Sequence, residues 1–281
     1  MLINSRVILN KNGVLTDLSL RLSDYNSNTA VIHIDTGTDF LYVGSDLPFN
    51  HRYFMVSVEN NLAATISIDL WSGDGWTPAI DILDDTINNN HPPGKSGIIS
   101  WSPDPDKSSW SYDDTNEMPN SGLQTLNIQG LYWARLKWSN DLRPSTALQY
   151  IGHKFSTDDD LYVEYPEFSV TNFKTAFKAG KTTWEEQSLA AAEYVIQELR
   201  TMNLARSADQ ILDWKLFQKA SVHRTASVIF KAFGDDYSDN LVQSLRDFKD
   251  AIQIKYYNLD TNRDATLTEQ EKVATTVFVT R

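Results

Sequence analysis

The sequence predicts an α+β protein of two domains: an antiparallel, jelly-roll-like β-sandwich over residues 1–165, followed by an α-helical bundle over residues 166–281. The first part contains short runs of β-branched and aromatic residues, separated by polar segments rich in Gly, Asn, Asp and Pro. The second part repeats apolar residues at helical spacing, behind Ser and Thr residues that can cap helices. The change of pattern near residue 166 places the domain boundary.

Six segments of the first part are predicted strands. The clearest pair is joined by the Gly-rich segment 72–75, whose glycines can adopt positive φ angles in a hairpin turn between Trp71 and Trp76. The segments 86–97 and 102–122 are too polar and too rich in turn residues for a core, so we expect long surface loops there. The predicted strands are residues 30–36, 52–59, 64–71, 96–101, 130–138 and 148–155.

Three helices are predicted in the second part. The first follows a Thr-x-x-Glu capping box at 183–186 and runs to about Met202. The second follows a Ser-x-x-Gln capping box at 207–210 and ends at Gly234. The third begins at Ser238 or Asp239 and has one apolar stripe, formed by Leu241, Leu245, Phe248 and Ile252.

Composition excludes several classes of function. The formal net charge is −12, and residues 1–165 carry 10 Lys and Arg against 21 Asp and Glu. Such a segment should be repelled by nucleic acid phosphates, so we expect no sequence-specific nucleic acid binding. The chain has no cysteine, which excludes disulfides and thiolate metal sites. No apolar run reaches the roughly 18 residues that a bilayer requires, and the start lacks a signal-like pattern, so we expect a soluble, unexported protein without a membrane partner.

The segment 258–271 has the spacing of a calcium-binding EF-hand loop. Oxygen-bearing residues occupy alternate positions, but Ala265 stands where the loop needs the sharp turn of a glycine. A turn held by Asp and Asn side chains that bond to the nearby backbone is therefore favoured over a metal site. The weak candidates for metal ligands are Asp260, Asn262, Asp264 and Glu271.

No set of catalytic residues is recognisable, so we expect neither enzymatic activity nor a cofactor. The acidic run 158–160 and the pair Asp84 and Asp85 could supply paired carboxylates, as in glycosidases, but solvated turns are the simpler interpretation. The histidines show neither metal-ligand spacing nor a triad-like signature and are interpreted as core-edge or surface residues. They are His33, His51, His91, His153 and His223.

Tryptophan is concentrated in the first part, which contains six of the eight indoles. Aromatic platforms on a β-sandwich can bind sugar rings, so a carbohydrate- or host-surface-binding protein is the alternative function. Trp133 and Trp138 are five residues apart and should lie on opposite faces of a strand, with at least one outside the core or at an edge. Core packing remains the favoured role of the tryptophans.

The second part resembles the head-tail connector (adaptor) proteins of tailed bacteriophages. The likeness covers the helix 185–199, the segment "QILDWKLFQKASVHRTASVIFKAF" and the ending "YYNLDTNRDATLTEQE". It implies a non-catalytic virion protein of the neck, made in the host cytoplasm, with the portal and other neck or tail proteins as partners. It also implies a homo-oligomeric ring of about twelve copies that joins the portal vertex to the tail. The first part looks like the β-rich extension found on some of these connectors.

The last segment, "KVATTVFVTR", is predicted to be an extended tail that docks on a partner. Its β-branched residues disfavour helix, and apolar residues at a terminus are useful when another chain covers them. The alternative is that the tail folds back on its own bundle. The predicted docking residues are Val273, Val277, Phe278 and Val279.

Overall fold

The chain is an α+β protein with antiparallel sheets, which confirms the predicted fold class at this level. The described chain divides into two compact units between Gly152 and His153. We call the part up to Gly152 the β unit and the part from His153 the helical unit. The computed structural model describes residues 5–26, 29–73, 75–102 and 130–253, together with the backbone of 256–258 and 272–274.

Where the structure describes the β unit, it contains two sheets and a short helix, α1 (Ser19–Leu22). Its strands are β1 (Ser5–Lys11), β2 (Val14–Asp17), β3 (Ala30–Val31), β4 (Phe40–Ser45), β5 (His51–Val58), β6 (Ile66–Trp71), β7 (Trp76–Pro78), β8 (Leu83–Asp84), β9 (Gly97–Ser100), β10 (Tyr132–Trp138) and β11 (Ala147–Gly152). One sheet has the order β2-β1-β4-β10-β6-β7 and the other has the order β3-β11-β5-β9-β8.

Two tight hairpins fix the register at the edges of the six-stranded sheet. The predicted hairpin at 72–75 is confirmed, because Trp71 pairs with Trp76 and the Ser72 amide donates to the Gly75 carbonyl at 2.9 Å. The β1–β2 hairpin turns at Asn12 and Gly13, which have φ angles of 51° and 81°. Positive φ at both central residues is the geometry that suits the twist of two-residue hairpins.

The core of the β unit is one buried apolar cluster with side chains from both sheets. It includes Leu41, Leu70 and Leu136 of the six-stranded sheet, and Phe54 and Leu148 of the five-stranded sheet. Burial of one face of each sheet in a shared core is the main source of stability that two antiparallel sheets can offer each other.

The described residues of the helical unit form five α-helices, and short 3₁₀ turns lie in most of the connections between them. They are α2 (Asp158–Glu164), α3 (Thr171–Phe177), α4 (Glu185–Thr201), α5 (Gln218–Phe233) and α6 (Ser238–Ile252). Two short strands, β12 (Tyr256–Asn258) and β13 (Lys272–Ala274), pair antiparallel after α6. Among the described residues, no helix has the length and apolarity needed to cross a membrane.

Helix α2 overturns the prediction of a solvated turn at 158–160. Thr157 and Asp160 form a reciprocal capping box, and the three aspartates lie in the first turn, where carboxylates favour a helix N-terminus. Leu161 is fully buried in a cluster with Val222 and Phe230 of α5. The helix therefore packs within the helical unit. The chain divides between residues 152 and 153, whereas the sequence pattern predicted the domain boundary between residues 165 and 166.

The two predicted capping boxes have different outcomes. The box at 183–186 is absent, since α4 begins after Trp184 without a side-chain cap. The box at 207–210 is present, but it closes only the 3₁₀ turn Ala208–Gln210, because Ile211 is extended at its end. The second predicted helix is therefore wrong at its start, as α5 begins at Gln218. It ends as predicted before Gly234, which has a φ of 73°.

The described side chains of the helical unit form two apolar clusters. Val195 and Leu199 of α4 pack with Phe248 and Ile252 of α6 in the first cluster. The predicted stripe of α6 is confirmed, because Phe248 and Ile252 are buried and Leu241 and Leu245 are half-buried. The second cluster is rich in aromatic side chains and surrounds Phe168, with further rings from Trp184, Phe173, Phe230 and Phe233.

Candidate functional site

The predicted docking residues fall largely beyond the part of the chain that can be described. Val273 lies in β13, where its backbone pairs with Tyr257 of β12. Val277, Phe278 and Val279 lie outside the described residues. The segment that includes Val273 is thus extended, as expected, and its strand partner belongs to the same chain.

The candidate calcium ligands Asp260, Asn262, Asp264 and Glu271 also lie outside the described residues. The segment that contains them connects β12 to β13, so strands flank it on both sides. An EF-hand places its loop between two helices. Within the described ranges, no group of three or more His, Asp or Glu side chains could hold a metal ion.

The five histidines lie in separate surroundings. His33 contacts Lys11 and Asp35, with 3.0 Å between His33 Nε2 and Asp35 Oδ1. His223 is buried and bonds to the Tyr165 hydroxyl at 2.9 Å, and burial lowers its pKa. The others have different neighbours: His51 bonds to Asn50, His91 pairs with Asn88, and His153 lies 3.3 Å from Asp209.

The acidic pair Asp84 and Asp85 lies beside a turn. The Asp84 carboxylate accepts from the Thr86 amide at 2.8 Å and from the Thr86 hydroxyl at 2.5 Å. Burial raises the pKa of Asp84, with a further contribution from the neighbouring Asp85. The hydrogen bonds of Asp84 thus hold the backbone between β8 and the following loop.

Most of the predicted tryptophan platform is buried. Trp138 packs in the core between the sheets, while Trp133 packs with Tyr42 and Trp71 in a separate cluster of the β unit. The two indoles therefore lie on opposite faces, as predicted, but both are at most 5% exposed. The expectation that one of them lies outside the core or at an edge is wrong, since the six-stranded sheet buries side chains on both faces. Of the described tryptophans of the β unit, only Trp76 is half-buried.

The cluster around Trp133 belongs to a face of the six-stranded sheet that we call the aromatic face. This face is formed by Phe40, Tyr42, Trp71, Trp76, Trp133, Asp69, Arg135 and Lys137. Cross-strand pairing aligns its central row, because Arg135 of β10 lies between Tyr42 of β4 and Asp69 of β6. Residues paired in this way point to the same side of a sheet. This register brings both cations of β10 to one carboxylate.

Asp69 is the electrostatic centre of the aromatic face. Its Oδ2 atom lies 2.6 Å from Arg135 Nη2, 3.1 Å from Arg135 Nε and 2.7 Å from Lys137 Nζ. Asp69 is 5% exposed, so its charge needs these partners to offset the loss of hydration. Among the described residues, two cations on one carboxylate leave a net positive charge at this point of an acidic unit.

The guanidinium of Arg135 lies between two aromatic rings. Its Cζ atom is 4.8 Å from the centre of the Phe40 ring and 4.6 Å from the Trp76 ring. Trp76 also contacts Trp71 edge-on, with 5.3 Å between ring centres. Burial raises the pKa of the Tyr42 hydroxyl, and the positive charge of Arg135 reduces this rise. The central cation is therefore fixed by stacking as well as by its ion pair.

A groove of about 280 Å³ opens on the helical unit. One wall carries Asp160 and Glu164 of α2, and the other carries Lys215, in the turn before α5, and Lys219 of α5. Val163 beside the groove is 80% exposed. In the part of the chain that the structure describes, neither lysine pairs with the opposite wall, which leaves both signs of charge open to solvent.

Sequence reasoning missed a buried charge in the helical unit. Lys154 Nζ lies 3.7 Å from Glu185 Oε1, and their side chains are 8% and 18% exposed. Burial lowers the pKa of Lys154 to about 8 and raises the pKa of Glu185 to about 7. No local motif predicts this pair, because 31 positions separate Lys154 from Glu185 in the chain and only the packing of α4 brings them together.

None of the family models, curated proteins or solved structures compared with this chain matches it.

Proposed function

We propose that the protein is a structural, non-catalytic component of the bacteriophage neck, which forms a ring between the portal vertex and the tail or neck. In this proposal the two sheets form a jelly-roll-like sandwich and the helices form the connector bundle. The resemblance of the second part of the sequence suggests the assembly. One structural observation supports it: the helical unit has two different surfaces with complementary charge.

The first of these surfaces is the groove. It presents an acidic wall from α2, which also carries the exposed Val163, and a basic wall from Lys215 and Lys219. Such a groove suits a helix whose basic residues face the acidic wall and whose acidic residues face the basic wall. In any other register, like charges would face each other and repel.

The second surface is the outer face of α6. Arg246 and Lys249 are exposed there beside Asp239 and Asp250, and Val242 is 58% exposed between them. We propose that α6 of a second copy occupies the groove, with its basic residues towards the acidic wall and its acidic residues towards the basic wall. Contacts between two different surfaces of identical chains are heterologous, and they close into a ring when the rotation permits.

The test is the mass of the purified protein at increasing concentration, alone and with portal-bearing heads. The double change Lys215→Glu with Lys219→Glu should abolish assembly, because the reversed wall would then face Asp239 and Asp250 with like charge. Adding Asp239→Lys and Asp250→Lys should restore it. Lys231→Glu, at an exposed position of α5 away from the groove, is the matched control.

Two results would contradict the proposal. A wild-type protein that stays monomeric at all concentrations and also fails to assemble on portal-bearing heads would remove the connector function. Assembly that survives the two lysine reversals would show that another surface makes the ring.

The role proposed for the tail needs a separate experiment. Deletion of residues 275–281 leaves the paired strand β13 intact. If the tail docks on the portal, the shortened chain should stay folded and form its ring, but should no longer bind portal-bearing heads. Normal binding to heads would assign docking to another segment.

The alternative function is carbohydrate or host-surface binding by the β unit. Trp71, Trp101, Trp133 and Trp138 are buried, so they do not form a broad aromatic platform for sugar rings. The part of this surface that keeps the relevant chemistry is the half-buried region around Trp76 and Arg135.

A further inference from the structure

In the part of the β unit that the structure describes, the aromatic face combines half-buried rings with a surplus of positive charge. Phe40, Trp76, Arg135 and Lys137 all keep part of their surface in contact with solvent. The Asp69 carboxylate can neutralise only one of the two cations that converge on its Oδ2 atom. The side chain of Lys137 is 34% exposed, so its remaining N–H donors can reach a ligand.

The rings of this face are held in place before any ligand arrives. Trp76 packs against Trp71 and Tyr42, with 5.3 Å and 5.6 Å between ring centres, and its position is set by the hairpin pair with Trp71. A ring that is already ordered loses little conformational entropy on binding. The stacked guanidinium is likewise fixed between Phe40 and Trp76.

We propose that the aromatic face binds an acidic sugar, a pyranose that carries a carboxylate. The carboxylate would accept hydrogen bonds from Lys137 and from the exposed edge of Arg135, while the apolar side of the sugar ring would pack on Trp76. A cation bonded to a carboxylate gives a charge-assisted hydrogen bond, which is stronger than a neutral one. A half-buried indole supplies apolar contact and has one polar atom to orient.

Other ligand classes fit this face less well. Nucleic acid binding needs several cations to displace condensed counterions, and this face has one surplus charge in a strongly acidic unit. A neutral sugar would leave the second cation without a role. The site is independent of the proposed ring, since its residues belong to the β unit.

The experiment is calorimetric titration of the full chain with oligogalacturonate, and with a neutral malto-oligosaccharide of the same length. The wild type should bind the acidic oligosaccharide, and added salt should weaken the interaction. Lys137→Gln should weaken binding about tenfold or more, and Lys137→Arg should recover most of it. Trp76→Leu should weaken binding as well, with the thermal midpoint checked for each variant.

Lys11→Gln is the matched control. Lys11 is also 34% exposed and lies 3.5 Å from a single carboxylate, that of Asp35, in the same unit. Its loss should leave binding unchanged. The inference is wrong if the wild type does not bind oligogalacturonate at millimolar concentration, if it binds both oligosaccharides equally, or if Lys137→Gln binds like the wild type. A mass that is unchanged by Lys137→Gln would leave the ring proposal standing in any of these cases.

Discussion

Gly44 of β4 lies directly opposite Trp133 of β10, and a methyl group on its Cα would lie only 2.6 Å from the indole ring. The absence of a side chain at this position is what allows the indole to lie across the neighbouring strand. Trp133 is fully buried as a result. A glycine inside a strand often marks such a close approach.

Gly44→Ala should therefore destabilise the β unit by about 1–3 kcal/mol, because Trp133 would have to leave its position in a packed cluster. Urea denaturation followed by tryptophan fluorescence measures the effect. Gly75→Ala is the control, since a methyl group there meets no atom within 4 Å. Equal stability of the two variants would mean that the aromatic face repacks without cost.

Thr157 and Thr183 should differ in their contribution to the free energy of unfolding. The Thr157 hydroxyl accepts from the Asp160 amide and caps α2, whereas no side chain caps α4 near Thr183. Thr157→Ala should lower the free energy of unfolding by about 1 kcal/mol, and Thr183→Ala should leave it nearly unchanged. Thermal denaturation of both variants tests this. A larger loss for Thr183→Ala would show that the predicted capping box at 183–186 forms in solution.

The buried carboxyl of Glu185 should give the free energy of unfolding a distinct dependence on pH. Its folded pKa of about 7 lies above the ordinary value of 4.5, so the folded chain holds a proton that the unfolded chain releases between these values. Stability should therefore fall as the pH rises from 5 to 7, by at most about 3 kcal/mol from this group. Glu185→Gln should lack this contribution.

Chemical denaturation at pH 5, 6 and 7 measures the difference between wild type and Glu185→Gln. Glu198→Gln, in the same helix, is the control and should keep the wild-type slope. Identical slopes for the wild type and Glu185→Gln would mean that Lys154, at 3.7 Å, keeps Glu185 ionised in the folded state.

Helix α6 should depend on one aromatic anchor. Phe248 is 6% exposed and packs in the cluster that joins α4 to α6, while Val242 on the outer face is 58% exposed. Phe248→Ala should cost about 3–5 kcal/mol of stability, and Val242→Ala should change it by less than about 0.5 kcal/mol. Denaturant unfolding at low protein concentration, where subunits do not associate, compares the two. A mild effect of Phe248→Ala would indicate that α6 is only loosely attached to α4 and α5.

Local sequence determined the elements whose signals are short and self-contained. The Gly-rich turn at 72–75 and the end of α5 at Gly234 could be predicted because positive φ angles are a property of single residues. The stripe of α6 could be predicted because its period is that of a helix. Asn12 and Gly13 carried an equally strong hairpin signal for β1 and β2, although neither strand is in the predicted set.

Only the tertiary structure decided which of these elements bury a second face and which charges meet. Trp133 and Trp138 alternate correctly along β10, but the sequence cannot show that the six-stranded sheet has an apolar cluster on both sides. The meeting of Arg135 with Asp69, and of Lys154 with Glu185, depends on the pairing of distant segments. Periodicity reports the geometry of neighbours along the chain, whereas burial and ion pairing are set by contacts between residues that are far apart in sequence.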